Sequence, residues 1–110
     1  MSAETPPANC QEEQYFLIFL HCIPGRALSS EVLNLHAAHL AELDDSGQLV
    51  AAGPLIEKAG GLIVLRTGSA AEAMAIAEED PLVRGTYQTY ELATWVLSHR
   101  GNGYRPNPQR

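Results

Sequence analysis

A chain of 110 residues, 45% hydrophobic and 18% charged, has the size and composition of one globular domain and excludes a disordered or fibrous protein. With a net charge of −6 and base concentrated only at Arg100, Arg105 and Arg110, nothing in the balance suggests a nucleic acid backbone or an anionic membrane as partner, since those need clustered Lys and Arg. No apolar run approaches membrane-spanning length and the first 14 residues lack a hydrophobic signal segment, so a cytoplasmic protein is expected.

Residues 1–13 are polar, include Pro6-Pro7 and show no period; a disordered leader is expected. Cys10 lies there and Cys22 ends the next segment, so the two cysteines read as unpaired thiols of a reducing compartment. From Tyr15 to Cys22 the chain is bulky and almost continuously apolar, as in a central strand covered on both faces, and Pro24-Gly25 ends it. Ser29 or Ser30 then caps a helix with Glu31 in its first turn. Val32, Leu33, His36, Ala37, Leu40 and Leu43 form its apolar face, and Gly47 is suited to a left-handed end.

Gln48–Ala52 reads as a short strand ended by Gly53-Pro54, and Leu62–Arg66 as its β-branched hairpin partner. Ser69-Ala70-Ala71-Glu72 has the form of a capping box and opens a second helix reaching about Glu79. Asp80-Pro81 stops it, because the residue before proline avoids helical backbone. A loop over Leu82–Gly85 leads to a last strand from Thr86 to about Ser98, and residues 100–110 read as a flexible tail. The order strand, helix, strand, strand, helix, strand is the α+β, ferredoxin-like βαββαβ arrangement, four antiparallel strands with two helices on one face. Large apolar groups alternate on both faces of the last strand, so a homodimer joined sheet to sheet is expected.

Among the four histidines, His36 stands out because it interrupts an apolar helix face, where its protonation depends on burial and neighbouring charge. His39 sits nearer the edge of that helix. With both helices on one sheet face, the end of the second can approach the first, and Asp80 can then orient His36 through one ring nitrogen. That leaves the other nitrogen as a general base or acid. Read as isolated residues, His36 fits a hydrogen-bonded core position, and Asp80 a plain cap or turn, better than either fits a catalytic role. His36 and His39 have no third ligand at a matching spacing, and neither Gly53-Pro54 nor Gly60-Gly61 opens a helix as a phosphate-cradling loop does. No metal and no flavin, nicotinamide or haem cofactor is expected.

Taken together, His36, Gly47 eleven residues on, Gly53-Pro54 after six more, Glu72-Ala73 and Asp80-Pro81 make a pattern that resembles the YciI-like (YCII-related) family over roughly Tyr15 to Trp95. The resemblance implies a ferredoxin-like fold that pairs through its sheets as a dimeric α/β barrel. It also implies a catalytic pair, carried over to His36 and Asp80. One branch of that family removes chloride from a chlorinated hydroxyhydroquinone, and the wider superfamily includes muconolactone isomerases. The chain departs from the pattern at Leu33, where many members carry an arginine suited to an anion, and Arg26 and Arg84 are the candidates to replace it.

The leading expectation is a cofactor-independent enzyme of lyase or isomerase type using a His36–Asp80 dyad on a small cyclic organic substrate. Phe19, Tyr87 and Trp95 are candidate pocket walls, or else core and interface residues. The alternatives are a non-catalytic small-molecule-binding or regulatory dimer, which the Leu33 departure favours, and a cofactor-free monooxygenase, which shares the fold.

Overall fold

The computed structural model describes residues 14–106, so the expected leader and Cys10 lie outside the described residues. Strand β1 (Gln14–Cys22) is followed by helix α1 (Ser30–Asp45), the hairpin of β2 (Leu49–Pro54) and β3 (Gly60–Leu65), helix α2 (Ala70–Glu79), a single turn α3 (Pro81–Arg84) and β4 (Gln88–Val96). The four strands form one antiparallel sheet in the order β2-β3-β1-β4. This is the ferredoxin-like arrangement, with β1 and β3 in the middle.

Strand period decides which side chains meet the helices. In β1 Phe16, Ile18 and Leu20 point to the helical layer, opposite Leu65, Ile63 and Gly61 of β3 and Thr94, Leu92 and Tyr90 of β4. They form the core with Val32 and Leu43 of α1, Ala73 and Ala77 of α2 and Leu82 of α3. The small Ala73 and Ala77 let α2 lie close against the sheet. Ile18 and Leu65 are wholly buried at its centre. Each such side chain contributes roughly 1.5–3 kcal/mol by leaving water.

The opposite face has no helix on it. Tyr15, Leu17, Phe19 and His21 of β1 share it with Leu62 and Val64 of β3 and with Thr89, Glu91, Ala93 and Trp95 of β4. Trp95 remains 44% exposed, tilted against Tyr15 at 5.9 Å between ring centroids. His21 Nε2 and Glu91 Oε1 lie 3.1 Å apart on this face, and both are largely exposed.

Three expectations are corrected in detail. Residues 82–85 are not simply a loop, because Pro81 and Asp80 together start the turn α3. The box at Ser69 is offset: the Ser69 hydroxyl accepts from the N–H of Glu72, while the Glu72 carboxylate accepts from Gly68, one residue earlier than in a reciprocal box. The last strand starts at Gln88, since Thr86 takes a left-handed backbone (φ 59°) and turns the chain first. A short 3-10 turn over Arg100–Asn102 follows β4, capped by His99.

Candidate functional site

The site begins at a junction between helices. Asp80 ends α2 in extended backbone (φ −62°, ψ 128°), the conformation its proline neighbour imposes. Pro81 then fits the first position of α3, where no N–H is needed. One carboxylate oxygen of Asp80 accepts the N–H of Leu82 at 2.9 Å and caps the turn. The side chain is 1% exposed, and a carboxylate so deeply buried needs a second partner.

That partner is His36. Its Nδ1 lies 3.0 Å from Oδ1 and 2.9 Å from Oδ2 of Asp80. An ionised carboxylate can only accept, so against it Nδ1 is the donor, and in that tautomer the ring's lone pair is on Nε2. No protein group among the described residues bonds Nε2. Asp80 thus holds one end of the ring, and the other is unbonded by the described residues.

The ring lines a cavity of about 370 Å³ between α1 and the sheet. The cavity exists because α1 packs on α3 and β2 instead of lying flat over the middle strands. Leu33, His36 and Leu40 form its helical wall, Leu20, Cys22, Ile63 and Gln88 its sheet wall, and Gly53-Pro54 with Gly60-Gly61 its end. At Gly60 the glycine has a steric reason. Gly60 has φ +146°, and a Cβ on it would lie 1.9 Å from the carbonyl oxygen of Leu20.

The remaining candidates are dispersed. His39 does not line the cavity; its buried Nε2 has no hydrogen-bond partner. Phe19 and Trp95 lie on the open sheet face, and Tyr87 lies under the guanidinium of Arg26 at 4.2 Å, so none of the three walls the cavity; leucines do. Arg26 donates to the carbonyls of Gly85 at 2.8 Å and Thr86 at 3.2 Å, and Arg84 lines a separate groove. Neither replaces the arginine missing at Leu33. Ala37 is exposed, so the apolar face of α1 is narrower than its sequence suggests.

Two polar residues of the cavity wall, Cys22 and Gln88, were not among the expected site residues. Cys22 is a free thiol whose sulfur accepts from Gln88 Nε2 at 3.2 Å, and Gln88 is 5% exposed. The available signal was parity: Gln88 begins the core-facing register Gln88, Tyr90, Leu92, Thr94, a polar residue where an apolar one is usual. Among the described residues no group of three or more His, Cys, Asp or Glu is placed to hold a metal ion.

Comparison with known proteins adds the lineage. The model of the YCII-related domain matches residues 14–96, from the first residue of β1 to the last of β4. The chain belongs to this family. No curated protein matches it by sequence. Among solved structures, this YCII-related domain is similar to the 5-chloro-2-hydroxyhydroquinone dehydrochlorinase of Burkholderia phenoliruptrix AC1100, in complex with 2,5-dihydroxybenzoquinone. The TM-score is 0.60 at 20% identity, over 79% of this chain and 97% of the dehydrochlorinase. The likeness is one of fold.

Proposed function

We propose that this YCII-related domain is a cofactor-independent enzyme of lyase or isomerase type acting on a small cyclic organic molecule. His36 moves the proton, and Asp80 is the positioning residue that holds its tautomer. The observation that carries the reading is a buried carboxylate 2.9 Å from Nδ1 of a ring that also lines a ligand-sized cavity. Nε2 takes a proton from a ring carbon or hydroxyl of the substrate, and Asp80 stabilises the imidazolium that forms. Returning that proton to another carbon completes an isomerisation; losing an anion from the adjacent carbon completes an elimination, with a double bond in place of the two bonds broken. The dehydrochlorinase of the same fold, which acts on a chlorinated hydroxylated ring, supports the substrate class.

The test is a panel of chlorinated and unchlorinated hydroxylated rings followed by NMR in deuterated buffer, with wild type and His36→Asn. Asparagine keeps a donor for Asp80 and removes the second nitrogen. Turnover or ring deuteration in wild type, lowered about 10²–10⁴-fold in the variant, is the expected result. An unchanged rate in His36→Asn removes histidine from the chemistry. A second reading, a non-catalytic small-molecule-binding protein, draws on the lack of any Lys or Arg among the described residues of the cavity wall. Saturable binding with no turnover across the panel selects it.

The proposal includes a homodimer closed through the open sheet face. A surface that includes the half-buried Leu17, Phe19 and Leu62 and the exposed Trp95 is of the kind a second copy covers.

A further inference from the structure

We propose that residues 97–106 form a clasp that grips a second copy of this chain, seating Arg100 and Arg105 against Asp44 and Asp45 at the end of that copy's α1. The proposal rests on the homodimer closed through the open sheet face and adds a contact outside that face. After β4 the chain winds into a turn held by its own hydrogen bonds. The His99 carbonyl accepts from the N–H groups of Asn102 at 3.2 Å and Tyr104 at 2.9 Å. Asn102 Oδ1 accepts from the N–H groups of His99 and Tyr104, and Asn102 Nδ2 donates to the Leu97 carbonyl at 2.8 Å. No residue of the turn Arg100–Asn102 is buried, and Tyr104, held at φ 62°, is 63% exposed. A surface shaped in advance loses little freedom on docking, and tyrosine and arginine are the residue types that anchor interfaces.

Charge selects the partner. All 13 Asp and Glu of the chain lie before residue 92, whereas residues 92–110 hold three arginines and no acid. Arg100 and Arg105 are exposed and have no acidic partner among the described residues. An acidic surface is their complement, and a second copy of this chain supplies one. Asp44 and Asp45 are likewise exposed and without a basic partner among the described residues, at the end of a helix with no base in its last turn. Carboxylates there face the negative end of the helix dipole, an unfavourable position that a cation relieves.

Topology makes the contact one between copies. Val96 ends β4 beside Gln14, Leu65 ends β3 beside Phe16, and Leu49 starts β2 beside Leu65. The clasp and the end of α1, four residues before Leu49, therefore lie at the same end of the sheet. They belong to opposite edges, because the order is β2-β3-β1-β4 and three strand spacings separate β4 from β2, roughly 14 Å. A two-fold axis parallel to the strands, with the open faces together, keeps these ends matched and exchanges the edges. It lays β4 of one copy against β2 of the other. Each clasp then arrives where the other copy's α1 runs into β2, and the two contacts are equivalent.

The test uses two full-length charge-reversed variants, Arg100→Glu with Arg105→Glu and Asp44→Lys with Asp45→Lys, in sedimentation equilibrium. Each alone should dimerise about tenfold more weakly than wild type, because each sets like charges against each other. Mixed in equal amounts, with one carrying an isotope label for native mass spectrometry, they should form a heterodimer of wild-type strength. Both contacts in the mixed pair join opposite charges. Weakening in each variant without recovery on mixing would mean that the clasp does not reach the second copy, and overturns the proposal. Wild-type dimerisation in both variants overturns it too while leaving the sheet-to-sheet dimer standing. A wild-type chain that stays monomeric removes both. A further measurement needs no variant: the wild-type dissociation constant should rise about three- to tenfold from low salt to about 0.5 M sodium chloride. A constant indifferent to salt overturns the clasp.

Discussion

At the residue scale the protein is organised by one buried carboxylate. Asp80 serves α3 as a cap and His36 as an acceptor, so its removal leaves two donors, the N–H of Leu82 and Nδ1–H of His36, without partners. Asp80→Ala should lower stability by about 2–4 kcal/mol, measured by urea denaturation, the sum of a lost cap and buried unpaired donors. Asp80→Asn should fold, yet ¹⁵N NMR of the imidazole should then show the Nε2–H tautomer alongside Nδ1–H, since the amide no longer enforces one form. A single Nδ1–H tautomer in that variant would show that Asp80 does not set the ring's proton. His36 and Asp80 were legible in the sequence because each breaks a local pattern: a titratable residue on an apolar stripe, and an aspartate before proline at a helix end. Gln88 broke a pattern too, but the alternation in β4 has large groups on both faces and did not say which face was core. Arg26 was a candidate for the cavity because nothing in sequence spacing reveals that the carbonyls of Gly85 and Thr86 claim it.

At the element scale, local chemistry sets most boundaries. Ser29 and Ser69 cap α1 and α2, and Gly47 follows α1 with φ +81°. Ser69→Ala should cost about 1 kcal/mol in thermal or chemical denaturation. Gly60→Ala should be far worse than an ordinary loop change, because the added carbon meets the Leu20 carbonyl and the backbone is already left-handed. A melting temperature within two or three degrees of wild type, roughly the shift of a fraction of a kcal/mol in a domain this size, would contradict that. Helix α2 and β4 are also tied by Tyr90, whose hydroxyl donates to Glu78 at 2.9 Å. Desolvation, then the hydrogen bond and the negative charge of Glu78, hold the Tyr90 phenol above the ordinary value of 10.0. A proton held more tightly in the folded state stabilises the fold below pH 10 and ceases to do so as pH rises past the folded value. Tyr90→Phe should therefore flatten the loss of stability above pH 10, read from melting temperatures across that range.

At the scale of the whole molecule, one sheet face is covered by helices and the other is not. If the open face closes a homodimer, Trp95→Lys should convert the particle to a monomer in sedimentation equilibrium, because a charge would be buried where the tryptophan stands. A wild-type monomer at tens of micromolar would contradict the dimer outright. The sequence by itself determined the element order and the antiparallel ferredoxin-like class, because hydrophobic period, caps and Gly or Pro breaks are local signals that act within a few residues. It also marked His36 and Asp80, 44 positions apart, without bringing them together. Tertiary structure alone decided that they touch, that α1 stands off the sheet far enough to leave a cavity, and that leucines, Cys22 and Gln88 line it while Phe19, Tyr87 and Trp95 do not. The reason is physical. Contacts between distant residues depend on how helices seat on a twisted sheet, and that seating is set by the packing of many side chains at once.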